Sequence, residues 1–367
     1  MFPRIEAPAG HELSDNITLD MSGHDRGRGA GYNPPNRFER LHLEAVDESE
    51  EPRSQPTQYY IDSTRSILAK NDSPDVPFTF SLNPYRGCEH GCIYCYARQT
   101  HEYLGFSAGV DFESKILVKP DAPELLEQAL RRKAWQPQAV ALSGNTDCYQ
   151  PAERRLELTR KCLLVFLKYR NPVSVITKSC LIVRDRDILG KLAALDLVHV
   201  QFSITTLKPH LARILEPRAA TPARRLEAMQ MLSGDGVPIG VSVAPVIPGL
   251  TDEEIPAILK ESAARGARSA FYILVRLPFA VEELFVDWLQ RHKPARASKI
   301  LNRLREIRGG KLSGSDFDTR KQGEGLFAES IRSLFELSCR KYGLNQTMHE
   351  LSTRHFTRDA GRQMSLF

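Results

Sequence analysis

The sequence predicts an α/β fold built on a parallel sheet, with a polar N-terminal extension and a helical C-terminal segment. Three observations carry this reading. Six apolar runs of strand length recur along the middle of the 367-residue chain. Stretches with apolar residues at spacings of three and four separate them, as amphipathic helices require. The two ends are polar or basic. Strand–helix alternation argues a parallel sheet with right-handed crossovers. The length suits one large domain of about 200 to 250 residues plus extensions.

Residues 1–75 form the extension, polar and largely without expected structure. Within it, 27–38 is rich in Gly, Pro and Asn and should lack regular structure. Its glycines and arginines also suit a segment that folds over a polyanion or closes a site. The core spans 76–290. Its strands are expected at 77–82, 139–142, 173–177, 198–204, 239–244 and 271–275. Leu156, Cys162, Leu163, Phe166 and Leu167 mark one intervening helix; Ile255, Ile258 and Leu259 mark another. Thr251 is read as the cap of the latter, with Asp252, Glu253 and Glu254 in its first turn. Residues 291–344 are helical: Leu301, Leu304 and Ile307 mark one helix. Phe327, Ile331, Leu334, Phe335 and Cys339 mark a second, ending near Gly343. Residues 345–367 read as a flexible tail.

Composition limits the function classes. A hydrophobic fraction of 41% and a charged fraction of 26% are those of an ordinary globular protein. No run approaches the roughly 18 apolar residues of a membrane span, and Met1 to Glu6 lack the apolar centre of a signal peptide. The expected location is the cytoplasm, with no membrane partner. Seven cysteines, an odd number with Cys148, Cys162, Cys180 and Cys339 scattered, argue against disulfides and for a reducing compartment. A net charge of +5 permits nucleic-acid binding without demanding it.

The most informative run is Asn83-Pro84-Tyr85-Arg86-Gly87-Cys88-Glu89-His90-Gly91-Cys92-Ile93-Tyr94-Cys95-Tyr96-Ala97-Arg98. Cys88, Cys92 and Cys95 stand in Cys-x3-Cys-x2-Cys spacing on one loop. Three thiolates can hold three irons of a cubane [4Fe-4S] cluster, which usually takes four. No fourth cysteine follows locally, so one iron would stay open for a substrate or cofactor. The alternative is zinc, with His90 or His101 completing a tetrahedron. Against it, the spacing is not that of a zinc knuckle and no second Cys-x2-Cys follows.

This run resembles the signature of radical S-adenosylmethionine (SAM) enzymes. The flanking Asn83-Pro84-Tyr85-Arg86-Gly87 and Tyr96-Ala97-Arg98 resemble the branch related to spore photoproduct lyase, the DNA repair photolyase-like family. The resemblance covers roughly residues 75 to 345. It implies a partial (β/α)6 TIM barrel and a [4Fe-4S] cluster on Cys88, Cys92 and Cys95. It also implies SAM chelated at the open iron, and an electron donor such as flavodoxin or ferredoxin. Reductive cleavage of SAM would then give a 5′-deoxyadenosyl radical that abstracts hydrogen from the substrate. In complete barrels the active site lies at the C-terminal ends of the strands; by analogy the same rim should carry chemistry here, and the cysteine loop follows the first strand.

On that rim each strand end suggests a cofactor contact. Ser143, Gly144, Asn145 and Thr146, before Asp147, suit the methionine amino group and replace the Gly-Gly-Glu of many family members. Lys178 is expected to reach the SAM carboxylate. Ser203, Thr205 and Thr206 suit the ribose hydroxyls; Glu216 with Arg218 suit carboxylate or ribose, or form a structural pair. Residues 243–249 suit an adenine wall, with Tyr94 beside it. Each Ser or Thr could equally be a turn or cap residue. Cys148 is a candidate hydrogen donor, because spore photoproduct lyase uses a cysteine on the corresponding loop. Gly144 takes roughly that cysteine's place here, and a buried packing role for Cys148 stays open.

The chain ends Gln363-Met364-Ser365-Leu366-Phe367. This resembles the short peptide with which bacterial replication and repair proteins dock on the DNA polymerase sliding clamp. Leu366 and Phe367 are large apolar residues on a polar tail, suited to anchor in a groove or to dock on their own domain. The combined expectation is a cytoplasmic radical SAM enzyme, lyase-like, acting on nucleic acid and repairing or processing damaged DNA. Two alternatives stand beside it: the same chemistry on RNA, a peptide or a metabolite, and a non-catalytic, zinc-stabilised nucleic-acid-binding protein.

Overall fold

The computed structural model describes residues 27–38, 56–347 and 349–358. Ten strands form among them: β1 (Gln58–Ile61), β2 (Leu68–Lys70), β3 (Phe80–Leu82), β4 (Tyr85–Arg86), β5 (Lys115–Val118), β6 (Val140–Leu142), β7 (Val173–Thr177), β8 (Val198–Ser203), β9 (Ile239–Val246) and β10 (Ala267–Leu274). The main sheet runs β10-β9-β8-β7-β6-β3-β2. From β3 to β10 its neighbours are all parallel and follow chain order; β2 adds an antiparallel edge beside β3. β3 and β10 lie at opposite sides of the sheet, so this is the open six-unit arrangement expected.

Each expected strand appears because its pattern is local. In β7, Val173, Val175 and Thr177 are buried while Ser174 and Ile176 are half-buried. Between strands, helices cover the sheet as their spacing required. Cys162, Leu163 and Phe166 of the helix Leu158–Tyr169 are fully buried, as are Ile255, Ile258 and Leu259 of Ile255–Ala264. Burying a side chain of this size contributes about 1.5–3 kcal/mol. The C-terminal helices Pro294–Glu306 and Gly325–Tyr342 form where expected, the second ending at Gly343 with φ 69.

Four details differ from the sequence reading. β10 begins at Ala267, ahead of the apolar half that marked it. Thr251 does not cap a helix: its hydroxyl accepts from the Ile247 amide, 2.9 Å away. Residues 56–75, expected within the unstructured extension, carry β1 and β2. Part of the expected tail lies on the core, with the Ser352 amide on Asp196 O (2.8 Å) and the Thr357 amide on Tyr169 O (3.1 Å). Residues 1–26 and the motif 363–367 lie outside the described residues.

A second, smaller sheet aims the cysteine loop. β5 pairs with β1 in parallel and with β4 antiparallel. β4 ends at Arg86, and Gly87 and Cys88 follow directly.

Candidate active site

The run before the cysteines works as a bracket. The Asn83 side-chain oxygen accepts the Asn145 and Thr146 amides, each at 3.2 Å. Thr146 donates its hydroxyl to Tyr85 O (3.0 Å), and the buried Tyr85 hydroxyl donates to Glu153 (2.5 Å). Gln150 clamps the loop from both sides, donating to Gly87 O (3.1 Å) and accepting from the Glu89 amide (3.0 Å). Gly87 has φ 78, and a β-carbon there would meet His101 at 2.8 Å, so only glycine suits this turn.

The loop's far end is held by Arg98, fully buried. It donates to Cys92 O (3.0 Å), Ala108 O (3.1 Å) and Gly109 O (2.9 Å) and pairs with the buried Glu113. Glu113 also accepts the Gly29 and Ala30 amides at 2.8 Å each. Residues 27–38 therefore pack, without regular secondary structure, on the segment 102–113 that follows the cysteine loop, with Gly29 against Gly91 of the loop itself.

Cys88 and Cys92 are buried and Cys95 is half-buried. Burial raises the pKa of all three thiols; Asp147 and the other two cysteines raise Cys88 further. Thiols this close, in so poorly solvated a place, ionise when a cationic centre compensates them. The donor set thus fits an iron–sulfur cluster, whose thiolates sit on separate irons. The two histidines of the zinc alternative make their contacts elsewhere. His90 Nδ1 faces Asp147 (3.4 Å). His101 Nε2 bonds Lys115 O (2.8 Å), and burial pushes its pKa down to about 4.

Lys178 gives the second fit. Its Nζ stands 5.9 Å from the Tyr94 ring centroid and makes no hydrogen bond or ion pair among the described residues. Burial opposes its charge, yet Cys92 and Glu216 together raise its pKa. A SAM carboxylate would complete this ammonium. Asp147 positions the lysine's backbone, accepting the Lys178 amide at 2.7 Å and the Thr177 hydroxyl at 2.8 Å.

The other expected residues separate. Ser143 adopts φ 89 and accepts the Cys148 amide at 3.0 Å. Gly144 has φ 109, and its carbonyl accepts from the Tyr96 hydroxyl. Ser203 O accepts from Arg225 (2.8 Å). Thr205 and Thr206, expected on ribose, donate instead to Glu216 (2.8 Å) and Glu254 (2.7 Å). Of 243–249, Val243, Val246, Ile247 and Pro248 are buried, which leaves Ala244, Pro245 and Gly249 partly open. Tyr94, expected against adenine, donates its hydroxyl to Glu216. Cys148 is fully buried in the main core, its carbonyl taking the Thr159 hydroxyl at 2.6 Å. That is the packing alternative.

Glu216 does not pair with Arg218. It pairs with the buried Arg225, a residue the sequence reading missed. Burial works against its charge, but Arg225 and Lys178 hold Glu216 at about 2. Arg218 reaches Glu89 (3.3 Å) and Thr57 (3.2 Å). The missed residue Arg276 follows β10, its guanidinium 5.8 Å from the Tyr96 ring centroid. The signal available for it was position, since it lies on the last strand end.

Comparisons with known proteins agree with this geometry. The model of the radical SAM superfamily matches residues 82–261. An uncharacterized protein of Mycobacterium tuberculosis is 36% identical over 234 residues, covering 63% of this chain and 68% of that protein. An uncharacterized protein of Methanocaldococcus jannaschii is 27% identical over 225 residues, covering 61% and 80%. Among solved structures, spore photoproduct lyase complexed with dinucleoside spore photoproduct superposes with TM-score 0.55 at 15% identity, covering 83% of this chain and 86% of that one. At that identity the likeness is one of fold. No helix among the described residues is long and apolar enough to cross a membrane. The cysteine loop, the six parallel strands and these matches together place the chain in the radical SAM superfamily, whose enzymes use a [4Fe-4S] cluster and S-adenosylmethionine.

Proposed function

We propose that this radical SAM enzyme acts on nucleic acid, with damaged DNA as the substrate and a lyase-like reaction. Cys88, Cys92 and Cys95 hold the cluster. Lys178 takes the SAM carboxylate, the 143–146 loop its amino group, and Ala244 with Pro245 the adenine edge. When bound, the reduced cluster supplies the electron that cleaves SAM. The chain's own residues bracket the loop through Asn83 and Gln150 and cover it through 27–38.

One observation carries the choice of nucleic acid. Arg276 lies beside Tyr96, next to Cys95, with its Nε buried and no hydrogen bond or ion pair among the described residues. Arg320 and Lys321 adjoin it electrostatically and share one carboxylate, Asp75. The balance on this side of the site is cationic, which suits a polyanion. The fold shared with spore photoproduct lyase supports DNA as that polyanion. Seven free thiols support the cytoplasm, and a flavodoxin- or ferredoxin-type protein is the proposed reductant.

The test is anaerobic incubation of reconstituted protein with SAM, dithionite and ultraviolet-irradiated DNA, followed by product analysis. The expected products are 5′-deoxyadenosine and a reduced content of photoproduct, both absent when Cys88, Cys92 and Cys95 are changed to Ala. Deoxyadenosine without any change in the DNA would remove the substrate reading and leave the chemistry. A colourless protein with stoichiometric zinc after iron–sulfide reconstitution would remove both.

A further inference from the structure

The segment 27–38, the helix Tyr96–Leu104 that follows the cysteine loop and the loop after β10 together carry aromatics that the core does not use. Phe38, Tyr103 and Phe279 are 56%, 69% and 59% exposed, unusual for rings of this size. They are gathered rather than scattered. Phe38 and Tyr103 stack with centroids 5.0 Å apart and planes 28° apart. The Arg37 guanidinium lies 3.8 Å from the Phe279 centroid and 5.0 Å from that of Phe38. Glu102 fixes this guanidinium through an ion pair of 2.9 Å.

Phe279 has an uncommon backbone as well. It adopts φ 51 and ψ −128 at the entry of the helix Ala280–His292. A bulky residue holds such a conformation only where its surroundings impose it, and such positions cluster at functional sites. The loop between β10 and this helix therefore presents Phe279 outward. The same short loop carries Arg276, whose guanidinium lies over Tyr96 and makes no hydrogen bond or ion pair among the described residues.

We infer that this rim binds unpaired nucleotides next to the one that reacts, with Phe38, Tyr103 and Phe279 stacking bases and Arg276 taking a backbone phosphate. The inference rests on the nucleic-acid reading above and deepens it to a single-stranded or flipped-out conformation of the substrate. Flat exposed rings with a guanidinium among them suit bases, because every base presents a π face. Chemistry on a base within a duplex requires the base to leave the stack. The bases beside it then need new stacking partners.

The test is fluorescence anisotropy with full-length reconstituted protein at two salt concentrations. A labelled single strand, its duplex and a labelled unstructured peptide are compared. The expected result is tighter binding to the single strand. Phe38→Ala with Tyr103→Ala should weaken it by about 10-fold or more. Phe279→Gly, which suits the backbone better than phenylalanine, should keep or raise the thermal midpoint while weakening binding. That separates stacking from folding. Arg276→Gln should lower affinity and reduce the salt slope by about one. If the wild-type protein binds the strand and all three variants match it, the rim inference is overturned and the nucleic-acid reading stands. Wild-type protein that binds neither nucleic acid overturns both. Peptide binding that these variants abolish, with nucleic-acid binding unaltered, overturns the inference in favour of a peptide partner.

Discussion

A β-carbon at Gly29 would stand 1.8 Å from the carbonyl oxygen of Gly91. The two backbones touch, and the N-terminal segment lies directly on the cysteine loop. Gly29→Val should push that segment off and remove the Gly29 and Ala30 amides from Glu113. A buried carboxylate that loses donors costs about 1–3 kcal/mol. The expected outcome is a lower thermal midpoint and a visible cluster absorbance that bleaches faster in air. Gly190→Ala is the control: it meets no atom within 4 Å in its helix and should be neutral or slightly stabilising. Equal bleaching in wild type and Gly29→Val would show that the segment does not shield the cluster.

The limits of the sequence explain why this contact was not foreseen. Strands such as β7 and helices such as Leu158–Tyr169 follow periodicity within one short window, so they were legible. The cysteine spacing was legible for the same reason. Gly29 and Glu113 are 84 residues apart, and a Gly-rich run announces turns but not the partner it lies against. The Glu216 pairing failed similarly. Arg218 stood two residues away in sequence, but Arg225 lies on the helix Pro222–Gly234, which turns it back onto Glu216. The order of residues 56–75 and 349–358 was missed because both are polar segments held by backbone hydrogen bonds, which composition does not report.

Cys148→Ala tests the donor role against packing. The thiol lies in a closed core near the Ser143 hydroxyl. Removing it should cost about 1 kcal/mol, as for other small core deletions. Iron content and SAM cleavage should persist, because the residue is not on the cysteine loop. With irradiated DNA, product identity and yield should match the wild type. A stalled or altered product with normal SAM cleavage would instead make Cys148 the hydrogen donor.

Glu216→Gln addresses the buried pair. It leaves the Arg225 charge without its counter-ion, which should cost on the order of 3 kcal/mol. It also loosens the Tyr94 hydroxyl and so the cysteine loop, and iron incorporation should fall. Glu216→Leu with Arg225→Met should recover part of the loss, since removing both charges leaves neither unpaired. Arg218→Gln should change stability by less than about 1 kcal/mol, because that side chain is 35% exposed and its pairing is screened. An Arg218 effect as large as that of Glu216 would return the pair to the sequence assignment.

The last prediction tests whether the C-terminal motif docks on a sliding clamp, as its sequence resemblance implies. The chain is pinned to the core as far as Arg358, whose guanidinium donates to Trp135 O at 2.6 Å. Residues 359–367 follow and could span at most about 30 Å. Docking of Gln363, Met364, Ser365, Leu366 and Phe367 on a separate protein would not require 349–358 to leave its place on the core. A peptide of this size buries little area, so affinity should be modest, roughly micromolar. A synthetic peptide of residues 358–367 should bind purified sliding clamp, and Leu366→Ala with Phe367→Ala should abolish binding. If the motif serves docking alone, the same double change in the whole protein leaves its thermal midpoint, iron content and SAM cleavage unaltered. A peptide that ignores the clamp, or a double variant that melts earlier, would assign Leu366 and Phe367 to packing on this chain. The case for DNA would then rest on Arg276 and the rim.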